Sequence, residues 1–194
     1  MIKTKQDLKK YLEMDKFALE RKYKKPKAFT DEIWRFQIYL RKYEFYKNTN
    51  TKSLLYLYYK FQYHRYSVKL GFEIPPNVFG PGLRICHRGT IVIQKNVRIG
   101  KWADVGHDVT IGMWKGQTPI IGDRCWFGPG AKIFGDVKIK DDTFIGANSV
   151  VCKSMENGAL AGSPAKLINK EIPQFLIIRE KEYYKKNKEM YNEQ

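Results

Sequence analysis

The 194-residue chain is long enough for one domain, or one domain with a small companion, and for a buried core. Its 43% hydrophobic content excludes a disordered chain, and no apolar run approaches the ~18 residues of a membrane span. A net charge of +16 leaves three anionic partners open: nucleic acid, an anionic membrane surface, or a phosphate-bearing substrate or cofactor. Three cysteines with no Cys-x-x-Cys spacing give neither a disulfide framework nor a zinc pattern, so no metal is expected. Met1-Ile-Lys-Thr-Lys5 lacks the apolar core of a signal peptide, which makes a cytoplasmic protein the default expectation.

Residues 1–70 are rich in Lys, Arg, Tyr and Phe. They hold 18 Lys and Arg against 7 Asp and Glu, about +11 of the total charge. Apolar residues recur there at helical spacing: Leu8, Tyr11 and Leu12; Ile33, Phe36 and Leu40; Leu54, Tyr58 and Phe61. Pro26 separates the first run from the second, Thr30-Asp31-Glu32 reads as a helix start, and Ser53 is a candidate cap for the third. The spacing predicts helices over about residues 5–22, 31–47 and 53–69. A helical cap on a neighbouring unit is the plainest role for this third of the chain. Its basic and aromatic composition also suits weak contact with a membrane surface, giving a protein peripheral to the inner membrane, while nucleic acid is the least expected partner.

Gly71 to Gly82 reads as a hinge. From His87 to Glu156 the sequence repeats every six residues. Large apolar residues open the units at Ile93, Ile99, Val105 and Ile111, then at Ile121, Phe127, Ile133, Ile139, Ile145 and Val151. Small or aliphatic residues such as Ala103, Cys125, Ala131 and Ser149 take the fifth place. Ten residues separate Ile111 from Ile121, so four extra residues are expected in a loop around Met113-Trp-Lys-Gly-Gln-Thr118. A period of six fits neither an amphipathic helix nor a hairpin array. It fits short strands stacked as a β-helix, with the openers pointing inward. We divide the chain into a helical cap (1–70), a β-helix domain (71–170) and a C-terminal helix and tail (171–194). The last helix is expected over 174–194 with a frayed end.

Among the histidines, His64 falls in the helical third and reads as a surface or packing residue. His87 stands six residues before Ile93, in an opener's place. It either ends the core or serves as a general base, since imidazole titrates near neutral pH and can take a hydroxyl proton. Glu73 is the nearest upstream carboxylate and could fix its tautomer. His107 falls about one coil later at the same edge, where it would meet a substrate or close a turn.

These residues resemble a family. The six-residue repeat, His87 with Gly89, Val109-Thr-Ile-Gly112, Ile145-Gly-Ala-Asn-Ser149 and Ala161-Gly-Ser-Pro-Ala-Lys166 look like the hexapeptide-repeat acyltransferases, most closely serine O-acetyltransferase. The resemblance covers residues 71–170. It implies a left-handed parallel β-helix, mainly β, and a homotrimer with acetyl-CoA as co-substrate in the groove between subunits. It assigns His87 as catalytic base and Glu73 as its partner, although the segment between them is one residue short. Gly112, Met113, Pro129 and Ala147 fall along the acetyl-CoA channel, and Ser163, Pro164, Ala165 and Lys166 beside the adenosine end. A backbone N–H of the Gly112–Met113 turn is the expected oxyanion donor.

Two departures shape the expected acceptor. Where serine-using members carry Asp before the catalytic histidine, this chain has Cys86, and its loop has no Arg-His pair. With both charge partners for a free amino acid missing, and with a short helical cap and loop that resemble those of bacterial polysaccharide O-acetyltransferases, the expected acceptor is a sugar hydroxyl of such a surface polysaccharide or its precursor. Trp114 would stack on the sugar, with Gln117, His107 and Cys86 completing the acceptor site. The alternatives are serine acetylation for cysteine biosynthesis and a non-catalytic basic scaffold.

Overall fold

The computed structural model describes residues 1–171 and 174–188. Three helices precede the strands: α1 (Lys5–Ala18), α2 (Glu32–Thr49) and α3 (Leu54–Leu70). Thr4 and Asp7 form a reciprocal capping box at the start of α1. The first helix stops four residues short of the expected 22, because the chain turns at Leu19 and Glu20 enters the left-handed region at φ 58°. Ser53 caps α3 as expected, accepting from the Leu55 N–H. Asp31 precedes α2 but does not cap it. Its carboxylate is taken by the Tyr23 hydroxyl at 2.6 Å and the Lys27 N–H at 2.8 Å.

From Phe72 the chain winds into a parallel β-solenoid of short strands on three faces. Face A carries β1 (Phe72–Glu73), β3 (Ile91–Ile93), β6 (Val109–Gly112), β9 (Lys132–Phe134) and β12 (Val150–Val151). Face B carries β4 (Arg98–Ile99), β7 (Ile120–Ile121) and β10 (Lys138–Ile139). Face C carries β2 (Arg84–Ile85), β5 (Asp104–Val105), β8 (Trp126–Phe127), β11 (Thr143–Ile145) and β13 (Gly158–Gly162), and β14 (Ala165–Asn169) closes it as an antiparallel hairpin. The segment read as a hinge is therefore the first coil, with Phe79 bridging to Ile99. After the coils comes α4 (Gln174–Lys186); the rest of the predicted last helix, residues 189–194, lies outside the described residues.

The period of six is the physical origin of this winding. Three units make one coil, so each opener lands on the opener eighteen residues on, as Ile93 pairs with Ile111 in the register of β3 and β6. Across the 113–118 loop the partner moves by four more, and Thr110 pairs with Lys132. The stacked openers form the core: Ile93, Ile111, Ile133 and Val151 under face A, Ile85, Val105, Phe127, Ile145 and Leu160 under face C, all buried. The corners need left-handed backbone. Asp108, Gly130 and Asn148 supply it between faces C and A, and Trp102, Arg124 and Asp142 between faces B and C.

One end of this core is covered by α2 and α3, with Phe36 and Leu40 packed in the same cluster as Phe72 and Ile74. The join is polar as well as apolar. Arg41 of α2 is fully buried and donates to Asp15, Glu44 and the carbonyls of Phe79 and Gly80, and Gln37 donates to the Leu83 carbonyl at 2.7 Å. Asp15 of α1 in turn accepts the N–H groups of Gly82 and Leu83 at 2.9 Å each.

Candidate active site

The register corrects the reading of His87. The inward residue of its coil is Ile85, which pairs with Val105, whereas His87 lies two residues further on, as His107 lies two after Val105. Eight residues separate Ile85 from Ile93 where six would keep step, so the first coil has a wider corner at Cys86–Thr90. His87 is thus an exposed corner residue and not an opener that ends the core. Its ring meets His107 edge-on, 6.0 Å between centroids. Gly89 lets the corners close up: at φ 130° it faces the His107 Cβ, 3.1 Å from where its own Cβ would stand. Among the described residues the His87 side chain makes no hydrogen bond, which leaves its ring nitrogens available to a substrate.

The same corner continues up the solenoid. The His107 carbonyl accepts from Gly130 N–H and the Pro129 carbonyl from Asn148 N–H, so His107, Pro129 and Ala147 stand at one corner in successive coils. Gly106 and Gly128 make this possible, since a Cβ on either would lie 2.7–2.8 Å from the backbone nitrogen of Pro129 or Ala147. The Ser163–Pro164 turn of the final hairpin, followed by Ala165 and exposed Lys166, extends the column, with Gly162 N–H donating to the Ser149 hydroxyl at 3.2 Å. Six of the eight residues assigned to acetyl-CoA therefore share one edge with the two histidines.

Gly112 and Met113 do not share that edge. They end β6, across face A from His107, at the corner that carries the loop. Between the two corners lies β6, whose four residues span about 13 Å, so the expected oxyanion donor is remote from His87 in the same chain. The loop itself is a tight two-residue hairpin. Trp114 and Gln117 exchange backbone hydrogen bonds of 3.0 Å, and Lys115 and Gly116 both have positive φ, as a type I′ turn requires. Trp114 is 65% exposed and lies over Gly135.

Nor is Glu73 joined to His87. It points outward from β1 in register with Val92, and shares with Tyr63, His64 and Thr90 a shallow groove of about 430 Å³. Neither Glu73 nor His87 has a side-chain hydrogen bond among the described residues, so the carboxylate–imidazole pair is not made within one chain.

Several residues that sequence reasoning passed over surround the histidine. The Cys86 thiol donates to Asp104 Oδ1 at 2.9 Å, and Asp104 also receives Arg84 at 3.0 Å and Arg179 of α4 at 3.1 Å. Burial, and then the Asp104 charge, push the thiol up to about 12, so it is neutral. Arg88, next to His87, is 2.8 Å from Glu32 at the start of α2, whose carboxylate is also held by Lys69; that contact with Lys69, ahead of the charge of Arg88, keeps Glu32 below the usual carboxylate range. Asp104 is one coil from Cys86, a distance that a search for neighbours in sequence does not reach. The signal was present in the register, because Arg84 and Asp104 are opposite one another. Among the described residues no group of three or more His, Cys, Asp or Glu is arranged to hold a metal ion.

A solenoid of six-residue units with a histidine corner defines a class, and comparison with known proteins agrees. Residues 118–153 match the family described as bacterial transferase hexapeptide (six repeats). The chain is 40% identical over 107 residues to the serine acetyltransferase of Helicobacter pylori, a match covering 52% of this chain and 63% of that one. It is 37% identical over 109 residues to that of Mycobacterium tuberculosis, covering 53% and 48%. The matches thus span less than two thirds of these relatives. The solved serine acetyltransferase of Neisseria gonorrhoeae superposes with a TM-score of 0.66 at 25% identity, over 89% of this chain and 69% of that one. A Brucella abortus serine acetyltransferase solved with coenzyme A gives 0.64 at 23%, over 85% and 69%, which speaks to the fold. Residues 118–153 thus carry the hexapeptide-transferase repeat, and in sequence and fold the chain is serine acetyltransferase-like.

These relatives overturn the expectation of a sugar acceptor, since they are serine acetyltransferases. In the structure the Cys86 thiol donates to Asp104 Oδ1 at 2.9 Å, and that buried carboxylate is also held by Arg84 and Arg179.

Proposed function

We propose that this protein is an acetyl-CoA-dependent O-acetyltransferase whose acceptor is serine, acting as a homotrimer. The observation that carries the reading is the corner column, in which an exposed His87 without an internal partner abuts His107 and is continued by Pro129, Ala147 and the Ser163–Lys166 turn. The names of the relatives supply the acceptor and the donor class.

In this reading acetyl-CoA supplies an activated acetyl thioester. His87 takes the proton of the serine hydroxyl through a ring nitrogen as that oxygen attacks the acetyl carbonyl, and later returns it to the leaving thiolate sulfur. His107, packed against the ring edge, restrains the imidazole and offers a second polar atom to the acceptor. The Pro129, Ala147 and Ser163–Lys166 column would hold the coenzyme, with the Lys166 ammonium available to a phosphate. Zwitterionic serine needs an anion and a cation beside its hydroxyl, and Arg88, which follows His87 in the chain, is paired with Glu32 at 2.8 Å. No acyl-enzyme is required, since the neutral Cys86 thiol is a poor nucleophile.

The test is coenzyme A release with serine as acceptor. His87→Ala should cut the rate by roughly 10²–10⁴-fold while acetyl-CoA binding and thermal stability persist, because the ring is exposed. A variant that folds and keeps more than a few per cent of parental activity removes His87 as the base. No turnover of serine by the parent removes serine as the acceptor.

A further inference from the structure

The helical unit carries two surface features that acetyl transfer does not use, and they adjoin. The first is a groove of about 570 Å³ between α1, the 24–26 turn, α2 and α3. Its apolar lining includes Trp34, Tyr39, Tyr58 and Tyr59, and its rim holds Lys16, Lys24, Lys25, Arg35 and Lys42. None of these five cations forms an ion pair among the described residues, although Lys42 reaches the Tyr59 hydroxyl at 3.4 Å. Glu13 is the groove's single acidic residue and sits 4.0 Å from Lys9. The buried Nε of Arg35 has no acceptor. Five like charges around one concavity repel one another, and an external anion would relieve that repulsion.

The second feature is a stripe on α3. Leu54, Leu57, Tyr58 and Phe61 fall at helical spacing on one side, with exposures from 47% at Tyr58 to 83% at Leu54. Tyr58 belongs to both features, and Leu54 and Phe61 lie one turn before and after it, so apolar stripe and basic groove are continuous.

We propose that this face docks on an anionic lipid bilayer, with the lysines over headgroup phosphates and Leu54, Leu57, Tyr58 and Phe61 at the acyl boundary. Exposed aliphatic residues beside unneutralised cations are what interfacial binding needs, and tyrosine suits that depth. A second copy of this chain is a poor occupant, because it would bring an equally positive face against this one. Nucleic acid would use the lysines and tyrosines but would leave Leu54 and Leu57 in water. No helix among the described residues is long and apolar enough to cross a membrane, so the contact is peripheral. The proposal is independent of the acetyl-transfer reading.

The experiment is flotation of the full chain with vesicles of phosphatidylcholine alone or with about a third phosphatidylglycerol. Binding should require the anionic lipid and weaken as salt shortens the screening length. Lys24→Glu/Lys25→Glu and Leu54→Ser/Phe61→Ser change only exposed residues, and each should lower partitioning about tenfold or more with coenzyme A release unchanged. Equal binding to both vesicle types, or no loss in either variant, overturns the proposal. A fall in assembly mass with Leu54→Ser/Phe61→Ser assigns the stripe to a contact between copies and overturns it too. Retention of single-stranded RNA without vesicle binding, lost in Lys24→Glu/Lys25→Glu, overturns it in favour of nucleic acid.

Discussion

At the scale of single residues, the three cysteines show how far environment outweighs identity. Cys125 is buried and its thiol is pushed up to about 12 by that burial; Cys86 reaches about 12 through burial and the Asp104 charge; Cys152 is exposed. Only the thiolate reacts with an alkylating agent. A thiol held near 12 is about one part in 10⁴ thiolate at pH 8, so iodoacetamide should label Cys152 and spare the other two, as read by peptide mass spectrometry. Asp104→Asn takes away the anion that raises Cys86 and leaves Arg84 and Arg179 beside it, so the thiol falls toward its ordinary value and Cys86 labels faster. Comparable labelling of Cys86 and Cys152 in the parent would show that the thiol is not held by Asp104. The place of Cys125 in the repeat was legible in the string, but the surroundings of Cys86 were not. Cys86 stood out as a missing aspartate, while the carboxylate that meets it is carried by the following coil.

At the scale of elements, the repeat was legible almost unit by unit, because a solenoid translates a sequence period directly into a spatial one. Ile111 and Ile121 even marked the loop between β6 and β7. What the period could not show was the first coil, where extra residues at Cys86–Thr90 move His87 from an opener's place to a corner. Nor could it show how the helices attach to the coils. That join depends on Arg41, whose carboxylate partners Asp15 and Glu44 are fully or almost fully buried with it. Opposite charges hold the guanidinium protonated well above its ordinary value against the desolvation that would lower it. Removing one partner of such a cluster strands the others, at a cost of about 3–5 kcal/mol. Arg41→Ala should therefore lower stability by about that amount in urea unfolding. Arg88→Ala removes an exposed side chain from a buried Glu32 that Lys69 still holds, so it should cost less, about 1 kcal/mol. Equal effects would mean that the helical unit is held by its apolar contacts alone.

At the scale of the whole molecule, the separation of His87 from the Gly112–Met113 turn becomes an argument about assembly. The two lie at opposite edges of face A, separated by the length of β6, about 13 Å, so one chain does not present a base and an oxyanion donor to the same carbonyl. In the homotrimer proposed above, the His87 corner of one chain would meet the loop corner of its neighbour, and each site would be shared. This predicts complementation. A His87→Ala chain has an intact loop, and a chain lacking Trp114–Gln117 has an intact histidine while its shorter loop restores the step of six from Ile111 to Ile121. Each homotrimer should be inactive. After the two are mixed, dissociated and reassembled at equal concentration, a site is whole when the histidine comes from one type and the neighbouring loop from the other. Random closure gives that combination at about a quarter of the sites, so about a quarter of parental activity should return. If His87 and the loop serve the same site from the same chain, every mixed assembly stays inactive, and sedimentation of a monomer would remove the second wall altogether.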